Sequence, residues 1–484
     1  MESPNTNQYF ISRPENFGSF DLCKFFFSRR CLSTYQFVET SSKPGAPQFS
    51  LIVILTLILE KILLLIYKPL KLLGNVIEFI LNLFALNGGV FGLLWRVLTA
   101  SVVIPNKNSA SYRSVLAFVD SRIDLFHTAS SSNKVDKINK TFNAVQPFDL
   151  TMMASKIAYE NPAFVQNAVE KHWKMHFVKF FSCWNGIQVI NKTYVLAEFY
   201  KANTTQAFIC SDKAKDAQLI VLAFRGTEPF NSQDWATDVN LSWISTGKMG
   251  KVHTGFMKAL GLTDERDFAK GFPAESPSKK ALAYYSIRET LNALLKKNPN
   301  AKVLITGHSL GGALATLFPA LLLYHNQTTI LNSLLHVFTF GQPRVGDEEF
   351  ADFMASALML KYRRIVYRYD IVPRVPLDLP PVSLFKHFGD CIYYSSWYVR
   401  KAVDEEPNKD YFSLKYIPSM HFHALVDLIR GVFAWLKPGV EFKEGLISIL
   451  FRVVGLLIPG LASHSPRDYV NGGRLSKFHA VDLI

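Results

Sequence analysis

Residues 305–315 read ITGHSLGGALA and contain the pentapeptide GHSLG at positions 307–311. An apolar run with strand character (301–306) precedes this pentapeptide, and small or apolar residues with helical character follow it from Leu310 to Tyr324. In this strand–turn–helix context, a G-x-S-x-G serine is held exposed at the top of a sheet. Glycine is needed on both sides because a side chain would crowd the tight turn. We therefore predict that Ser309 is a nucleophile, with a chance match to this common pentapeptide as the alternative.

The chain after residue 147 alternates strand-like and helical runs, which predicts an α/β fold with a mostly parallel sheet. The predicted strands are Phe208–Cys210, Leu219–Phe224, Lys302–Thr306, His336–Gly341 and Arg364–Tyr369. The predicted helices between them include Tyr285–Leu295 and Gly311–Tyr324.

A serine hydroxyl needs a histidine to take its proton and a carboxylate to orient that histidine. In hydrolases of the α/β type the chain order is serine, acid, histidine. Asp370 follows a predicted strand directly and is the preferred acid, although capping a turn is an alternative role for it. Asp378 and Asp390 are its rivals.

The preferred histidine is His464, which lies in a polar loop after an apolar stretch near the end of the chain. The other histidines after Asp370 are His387, His421, His423 and His479. Two of these, His421 and His423, belong to an apolar helical segment, where packing is the expected role.

An acyl-transfer site also needs donors for the oxyanion. The backbone N–H of Leu310 can supply one donor, and the loop after Leu219–Phe224 can supply a second at Thr227; an ordinary helix N-cap is the alternative for Thr227. The segment 228–243 alternates acidic and large apolar residues, which fits either a mobile lid or a packed helix.

Residues 49–105 are unusually apolar. The polar residues in their first half recur at helical spacing and form one narrow stripe: Lys61, Lys68, Lys71, Asn75, Glu78 and Asn82. A transmembrane helix needs about twenty uninterrupted apolar residues, and we expect Glu60-Lys61 and Pro69 to interrupt this run. We therefore favour a hairpin or in-plane helix that keeps the stripe in the headgroup layer. A helical cap packed on the enzyme is the alternative.

The composition excludes some classes of function. Of the 484 residues, 49% are hydrophobic and 19% charged, and the net charge of +14 is spread along the chain without a basic run. This distribution argues against nucleic-acid binding and suits either an anionic lipid surface or an ordinary solvated basic surface. The five cysteines show no C-x-x-C, which favours reduced thiols facing the cytosol. We see no metal cluster and no phosphate-binding loop, and we expect no cofactor.

The predicted organisation has four parts. They are an N-terminal extension (1–48), a lipid-associating helical region (49–105), a linker (106–146) and a hydrolase domain (147–484) that carries an apolar insertion (418–462).

Several motifs in a fixed order give the chain a resemblance to the class 3 (fungal-type) lipases of the α/β-hydrolase fold. The matching runs are 224–227 (FRGT), 252–256 (VHTGF), 307–315, 340–347 (FGQPRVGD) and 370–374 (DIVPR). The resemblance covers roughly residues 147–480. It implies that Ser309 is the nucleophile, Asp370 the acid and Thr227 an oxyanion residue, and that His464, in a His-x-x-x-x-Tyr context, is the base. The stretch between Asp370 and His464 is longer than in compact fungal members of the family.

The insertion and the apolar N-terminal region together resemble the plant oil-body lipases. This resemblance implies hydrolysis of triacylglycerol on the monolayer of a lipid droplet or on a membrane surface, facing the cytosol, with the endoplasmic reticulum membrane as an alternative location. Two other functions stay open from the sequence. The first is a phospholipase A1 or galactolipase with the same triad, and the second is a droplet-coating protein without activity.

Overall fold

The computed structural model describes residues 8–18, 37–41, 51–126, 147–184, 205–262, 272–376, 384–395, 397–409, 411, 413–434 and 442–476. The strands in these ranges are β1 (Tyr9–Ser12), β2 (Val38–Thr40), β3 (His176–Cys183), β4 (Thr205–Ser211), β5 (Leu219–Phe224), β6 (Trp243–Ser245), β7 (Lys251–His253), β8 (Lys302–His308), β9 (Leu334–Phe340), β10 (Tyr362–Tyr367), β11 (Cys391–Tyr394) and β12 (Arg400–Val403).

The α-helices in the same ranges are α1 (Leu51–Leu86), α2 (Gly89–Leu98), α3 (Val115–Val119), α4 (Pro147–Ile157), α5 (Pro162–Asn167), α6 (Ser232–Val239), α7 (Thr254–Leu260), α8 (Ala283–Lys297), α9 (Leu310–Tyr324), α10 (Thr328–Ser333), α11 (Glu348–Leu358), α12 (Ile417–Phe433), α13 (Leu446–Leu457), α14 (Pro459–Ser463) and α15 (Pro466–Leu475). Each strand and helix predicted above for the α/β region overlaps one of these elements.

The central sheet has the strand order β12-β11-β10-β9-β8-β5-β4-β3. The five central strands, β11, β10, β9, β8 and β5, run parallel to one another. The pairings at the two edges, β11 with β12 and β5 with β4 and onward to β3, are antiparallel. The sheet is therefore mixed, and the predicted parallel arrangement holds for its centre.

Both faces of this sheet are covered by helices. In β5 the side chains alternate: Ile220, Leu222 and Phe224 join the apolar core on one face, and Leu219 and Val221 join the core on the other. The first core includes residues of α7, α8 and α9, and the second includes residues of α4, α5 and α15. Burial on both faces is the reason that β5 is apolar throughout and that β8 is apolar over residues 303–305.

A second, smaller sheet joins the N-terminal segment to the hydrolase domain. Its order is β2-β1-β6-β7 and all of its pairings are antiparallel. Helix α1 begins beside this sheet, and Val53, Ile54 and Leu57 pack with Phe10 and Leu241 in a third apolar cluster.

Helix α1 is continuous over 36 residues. Glu60-Lys61 and Pro69 interrupt its apolar run, as expected, and leave the helix itself unbroken. Glu60 is buried, and its carboxylate accepts a hydrogen bond from Ser12 Oγ at 3.5 Å. Helix α1 is followed by a turn, in which Gly88 has φ +80° and Gly89 has φ +78° where α2 begins.

The polar stripe of α1 contacts the protein. Asn82 exchanges two hydrogen bonds with the backbone of Arg113, and Glu78 accepts one from the N–H of Val115 at 3.2 Å. Asn82 and Glu78 therefore face the protein, as in the packed-cap alternative, whereas the headgroup placement of the exposed Lys68, Lys71 and Asn75 stays a prediction. The opposite side of α1 and the surface of α2 expose large apolar side chains, among them Leu72 (66% exposed) and Phe91 (87% exposed).

Among the described helices, none combines the length and the apolar content that a membrane crossing requires. Residues 106–126 of the predicted linker carry α3 and bury Tyr112, Val119 and Asp120, whereas 127–146 lie outside the described residues.

Candidate active site

The carboxyl ends of the parallel strands bring together the loops that carry the candidate catalytic residues. Ser309 follows β8, the 225–227 loop follows the adjacent β5, and Asp370 lies beyond β10. In open α/β sheets this edge is where ligands bind.

Ser309 lies in a strained turn between β8 and α9. Its backbone has φ +61° and ψ −135°, a region that residues other than glycine rarely adopt and that costs about 1–3 kcal/mol. The turn is held because the Ser309 N–H donates to the carbonyl of Phe340 at 2.9 Å. The flanking glycines are required, since a Cβ on Gly307 would lie 2.0 Å from the Gly311 carbonyl oxygen. A Cβ on Gly311 would in turn lie 2.4 Å from the Phe224 oxygen.

Asp370 and His464 form a buried pair. His464 Nδ1 lies 2.9 and 2.8 Å from the two carboxylate oxygens of Asp370. The carboxylate also accepts hydrogen bonds from the Tyr469 hydroxyl at 2.5 Å and from the Val372 N–H at 2.9 Å. These donors fix the carboxylate, and the carboxylate fixes the imidazole with Nε2 turned away from it.

The serine and the histidine are neighbours without a hydrogen bond between them. Ser309 Oγ and His464 Nε2 are both buried and have no partner among the described residues. A Cβ on Gly341, which follows the Phe340 that holds Ser309, would lie 2.6 Å from Asp370 Oδ2 and 3.1 Å from His464 Cε1. Catalytic hydrogen bonds in structures without substrate are often long and tighten in the complex.

His308 links the serine turn to the histidine loop. The Tyr159 hydroxyl donates to His308 Nδ1 at 2.8 Å, and His308 Nε2–H donates to the His464 carbonyl at 2.9 Å. The two imidazole rings are 4.5 Å apart between centroids. Burial, with the neighbouring His464, holds the pKa of His308 well below its ordinary value. A neutral His308 can therefore bridge the two loops without a second charge beside His464.

The loop after β5 packs tightly against the serine turn. A Cβ on Gly226 would lie 2.4 Å from the His308 carbonyl oxygen, and Thr227 is buried. Arg225 fixes the loop through Gln206 at 2.9 Å and through the carboxylates of Glu228 and Asp234. Burial raises the pKa of Asp234 to about 7, against the lowering effect of Arg225. Leu310 begins α9 next to this loop, where the first N–H groups of a helix have no intrahelical partner.

Arg374 holds the Asp370 loop through backbone oxygens. Its fully buried guanidinium donates to the carbonyls of Asp370, of Arg368 at 3.0 Å and of Asn408 at 2.7 Å. This explains the last residue of the motif at 370–374.

The rival residues lie elsewhere or outside the described ranges. Asp378 and His479 are outside them, and Asp390 is exposed. Burial lowers the pKa of His387 to about 3, and this histidine donates to the Pro373 carbonyl at 2.7 Å. On α12, His421 Nδ1 bonds the Leu456 carbonyl, and the ring of His423 lies 6.3 Å from that of Tyr369.

Three residues of this site received no role from the sequence: Tyr159, His308 and Tyr469. The last two stand inside the motifs, His308 in the pentapeptide and Tyr469 at the end of the His-x-x-x-x-Tyr run. Their positions were a usable signal. Tyr159 gave none, because it comes from a distant helical segment.

The candidate lid is packed in this structure. Helix α6 lies against α1, and Phe230 approaches α1 so closely that a Cβ on Gly74 would lie 2.5 Å from its Cβ. The packed-helix alternative is therefore confirmed for this conformation, and opening of α6 stays a prediction.

A polar cavity of about 450 Å³ lies between α1 and the loop after β5. Its walls include Lys71, Glu78, Glu160 and Arg225, and burial raises the pKa of Glu160 to about 7. Ser309 is not among the lining residues, so this cavity is not the acyl site. The described residues contain no group of His, Cys, Asp and Glu suited to a metal ion.

The family model and the curated relatives that match this chain agree on one family. A family model described as lipase (class 3) matches residues 221–379. The triacylglycerol lipase OBL1 of Arabidopsis thaliana is 38% identical to this chain, over 99% of the chain and 96% of the relative. The protein of the same name from Nicotiana tabacum is 37% identical over 90% and 85% of the two chains. Among solved structures, the triacylglyceride lipase of Rhizomucor miehei matches with 24% identity and a TM-score of 0.36, over 56% of this chain and 83% of that one.

Proposed function

We propose a function from the premise that the chain belongs to the class 3 lipase family. The function is hydrolysis of the ester bonds of triacylglycerol. The observation that carries it is the buried Asp370–His464 pair beside the strained Ser309 turn. A buried acid–imidazole pair next to a serine on a strand–helix turn is suited to acyl transfer.

The proposed reaction begins when His464 Nε2 takes the proton of Ser309 Oγ while that oxygen attacks the ester carbonyl. Asp370 accepts the Nδ1–H of His464 and stabilises the imidazolium that forms. The N–H groups of Leu310 and Thr227 would donate to the oxyanion. His464 then gives its proton to the departing diacylglycerol oxygen. A water molecule, deprotonated by His464, attacks the acyl-serine carbonyl. The bond to Ser309 Oγ then breaks, His464 returns the proton to that oxygen, and the fatty acid leaves.

We place the enzyme on the surface of a lipid droplet, facing the cytosol. Two observations support this location. The outer side of α1 exposes large apolar side chains, and α2 has no buried residue. A contiguous exposed apolar surface of this extent favours contact with lipid. The acylglycerol substrate is insoluble in water, so an enzyme that remains at its surface meets it at high local concentration.

The experiment that tests the activity is hydrolysis of emulsified triolein by the purified chain and its Ser309→Ala variant. We expect a loss of at least 10⁴-fold in kcat, because the acyl-enzyme cannot form, and unchanged flotation with the droplets. Rates on triolein and phosphatidylcholine measured side by side separate the lipase from a phospholipase. A variant within ten-fold of the unmodified chain would overturn the proposed nucleophile, and faster hydrolysis of phosphatidylcholine would overturn the substrate.

A further inference from the structure

Helices α12 and α13 have their apolar sides turned outward. The buried residues of α12 include Asp427 and Gly431, and those of α13 are Ser448, Arg452 and Gly455. The exposed residues of the two helices are large and apolar: Phe422, Leu425, Ile429, Leu446, Leu450 and Leu457. Leu446 and Leu457 are each more than 80% exposed. A helix packed on a soluble domain normally shows the reverse arrangement.

Helices α12 and α13 pack against each other and are called the hairpin from here on. The charged side chains on the inner side of the hairpin are paired in an ionic network. Arg452 contacts Glu444 at 2.7 Å and Asp468 at 3.1 Å. Asp427 pairs with Arg430 at 2.6 Å and with Arg368. The inner charges are thus paired with one another. The apolar residues on the outer side are not needed to complete the inner packing of the hairpin.

This network flanks two candidate catalytic residues. Arg368 is two residues before Asp370, and Asp468 is four residues after His464. Helix α13 is followed at once by α14, which ends at Ser463. Whatever the hairpin contacts is therefore held at a fixed position relative to the catalytic loops.

One short helix joins the hairpin to the helix whose outer side is proposed above to contact lipid. Helix α3 packs against both α13 and α1 and connects the two regions. The exposed charged residues of the described hairpin ranges, Lys415 and Lys443, are basic, while its acids Asp427 and Glu444 are buried. Basic residues beside an apolar surface suit an anionic phospholipid layer over neutral lipid.

We propose that the outer side of α12 and α13 is a second lipid-docking surface, which inserts into the phospholipid-covered surface of the oil phase and holds the catalytic loops against it. The proposal rests on the proposed function for its substrate. The occupant is the lipid layer, because the hairpin is joined to α1 through α3, carries basic residues and belongs to an enzyme of an insoluble ester. A second copy of the chain is an outcome that the test must detect.

The test replaces Phe422, Leu450 and Leu457 with glutamine in the full chain. The matched control replaces Leu360 and Trp397, which are exposed apolar residues outside the hairpin, with glutamine. Initial rates are measured against increasing area of a triolein emulsion coated with phosphatidylcholine and phosphatidylserine, and against a soluble short-chain ester. Flotation with the same droplets and the molar mass in solution are measured in parallel.

We expect the hairpin variant to need at least ten-fold more lipid area for half-maximal rate, and to float less, with an unchanged rate on the soluble ester. The control should match the unmodified chain in each measurement. Equal lipid dependence for the two variants would overturn the proposal, as would an equal loss on the soluble ester. A dimer that the hairpin substitutions convert to a monomer would assign the surface to a second copy instead. If the unmodified chain hydrolyses neither ester, the proposed function fails, while flotation still tests the docking surface.

Discussion

The central sheet and the helices α12 and α13 bury opposite kinds of side chain. Both faces of the sheet are filled by apolar residues, and strands β5 and β8 are almost wholly inaccessible. In α12 and α13 the inner residues include aspartate and arginine, and the outer ones are leucine, isoleucine and phenylalanine. The apolar side chains of the first region are covered within the protein, whereas those of the second remain exposed to solvent.

We expect the buried apolar residues to determine the stability of the fold and the exposed ones to determine where the protein binds. Burial of apolar area stabilises the catalytic domain by about 25 cal/mol per Å². The outward side chains of the helices contribute little to folding, because they are exposed in both the folded and the unfolded chain. Under the proposed docking, burial of these side chains contributes free energy only when the protein meets lipid, so substitutions in the two regions should affect different measurements.

One pair of leucine-to-alanine substitutions, one in the central sheet and one on an exposed apolar helix, tests whether buried and exposed apolar residues contribute differently to stability. Leu304 is fully buried in β8, and Leu72 is 66% exposed on α1. We expect Leu304→Ala to lower the free energy of unfolding by about 3 kcal/mol, because it removes packed methyl groups and leaves a cavity. Leu72→Ala should change it by less than about 0.5 kcal/mol, while reducing flotation with droplets. Urea unfolding and flotation of both variants provide the measurement. Equal destabilisation by the two changes would show that the outer side of α1 is covered in the free protein.

The sequence predicted the surroundings of Ser309 better than the orientation of the exposed apolar helices, for a physical reason. Ser309, Asp370 and Thr227 follow strands directly, and the carboxyl ends of parallel strands meet at one edge. The pattern of apolar residues in α1 predicts a helix and two sides. It does not state which side faces the protein, and at Asn82 and Glu78 the polar side does. The decision depends on partners such as Arg113 and Val115, which are some 30 residues away.

The buried network under α12 and α13 was also beyond the reach of the sequence. Asp427, Glu444, Arg452 and Asp468 have no common spacing, and each reads as an ordinary surface charge. Only the fold brings them together. The apolar insertion 418–462 was recognised, but its orientation follows from these four residues.

The pH dependence of stability tests the same difference, because the region around β7 buries a neutral histidine, whereas the hairpin buries charged side chains. Burial lowers the pKa of His253 to about 4, and its Nε2–H donates to the Asn240 carbonyl at 2.6 Å. Between pH 6.5 and 4 the unfolded chain binds a proton at this residue that the folded chain does not. Stability from this group is therefore present above pH 6.5 and lost as the pH falls.

From pH 7 to pH 5 the loss should be about 2 kcal/mol, at 1.36 kcal/mol per unit of pKa. We expect His253→Gln to remove this part of the pH dependence of the free energy of unfolding. The control is Phe256→Leu, which disturbs the ring stacked on His253 at 4.2 Å and keeps the titrating group. It should lower stability at both pH values by the same amount. An unchanged slope in His253→Gln would place the titration elsewhere.

The smallest expected effect concerns the contact that joins the sheet to the helix after the hairpin. Tyr469 lies on α15, donates to Asp370 Oδ2 at 2.5 Å and accepts from the Tyr367 N–H at 3.2 Å. Hydrogen bonds to a charged group contribute about 1.5–3 kcal/mol. Tyr469→Phe keeps the packing and removes the donor, so the carboxylate is less well oriented toward His464. We expect kcat to fall about ten-fold, which corresponds to about 1.4 kcal/mol, with KM unchanged.

The matched control is Tyr284→Phe, a buried tyrosine that bonds His325 at 2.7 Å on the other face of the sheet. It should leave kcat unchanged. Lipid docking acts on the interface area needed for half-maximal rate, whereas the Tyr469 contact acts on kcat. A Tyr469→Phe variant that shifts only the lipid dependence would therefore mean that α15 transmits the position of the hairpin rather than the orientation of Asp370.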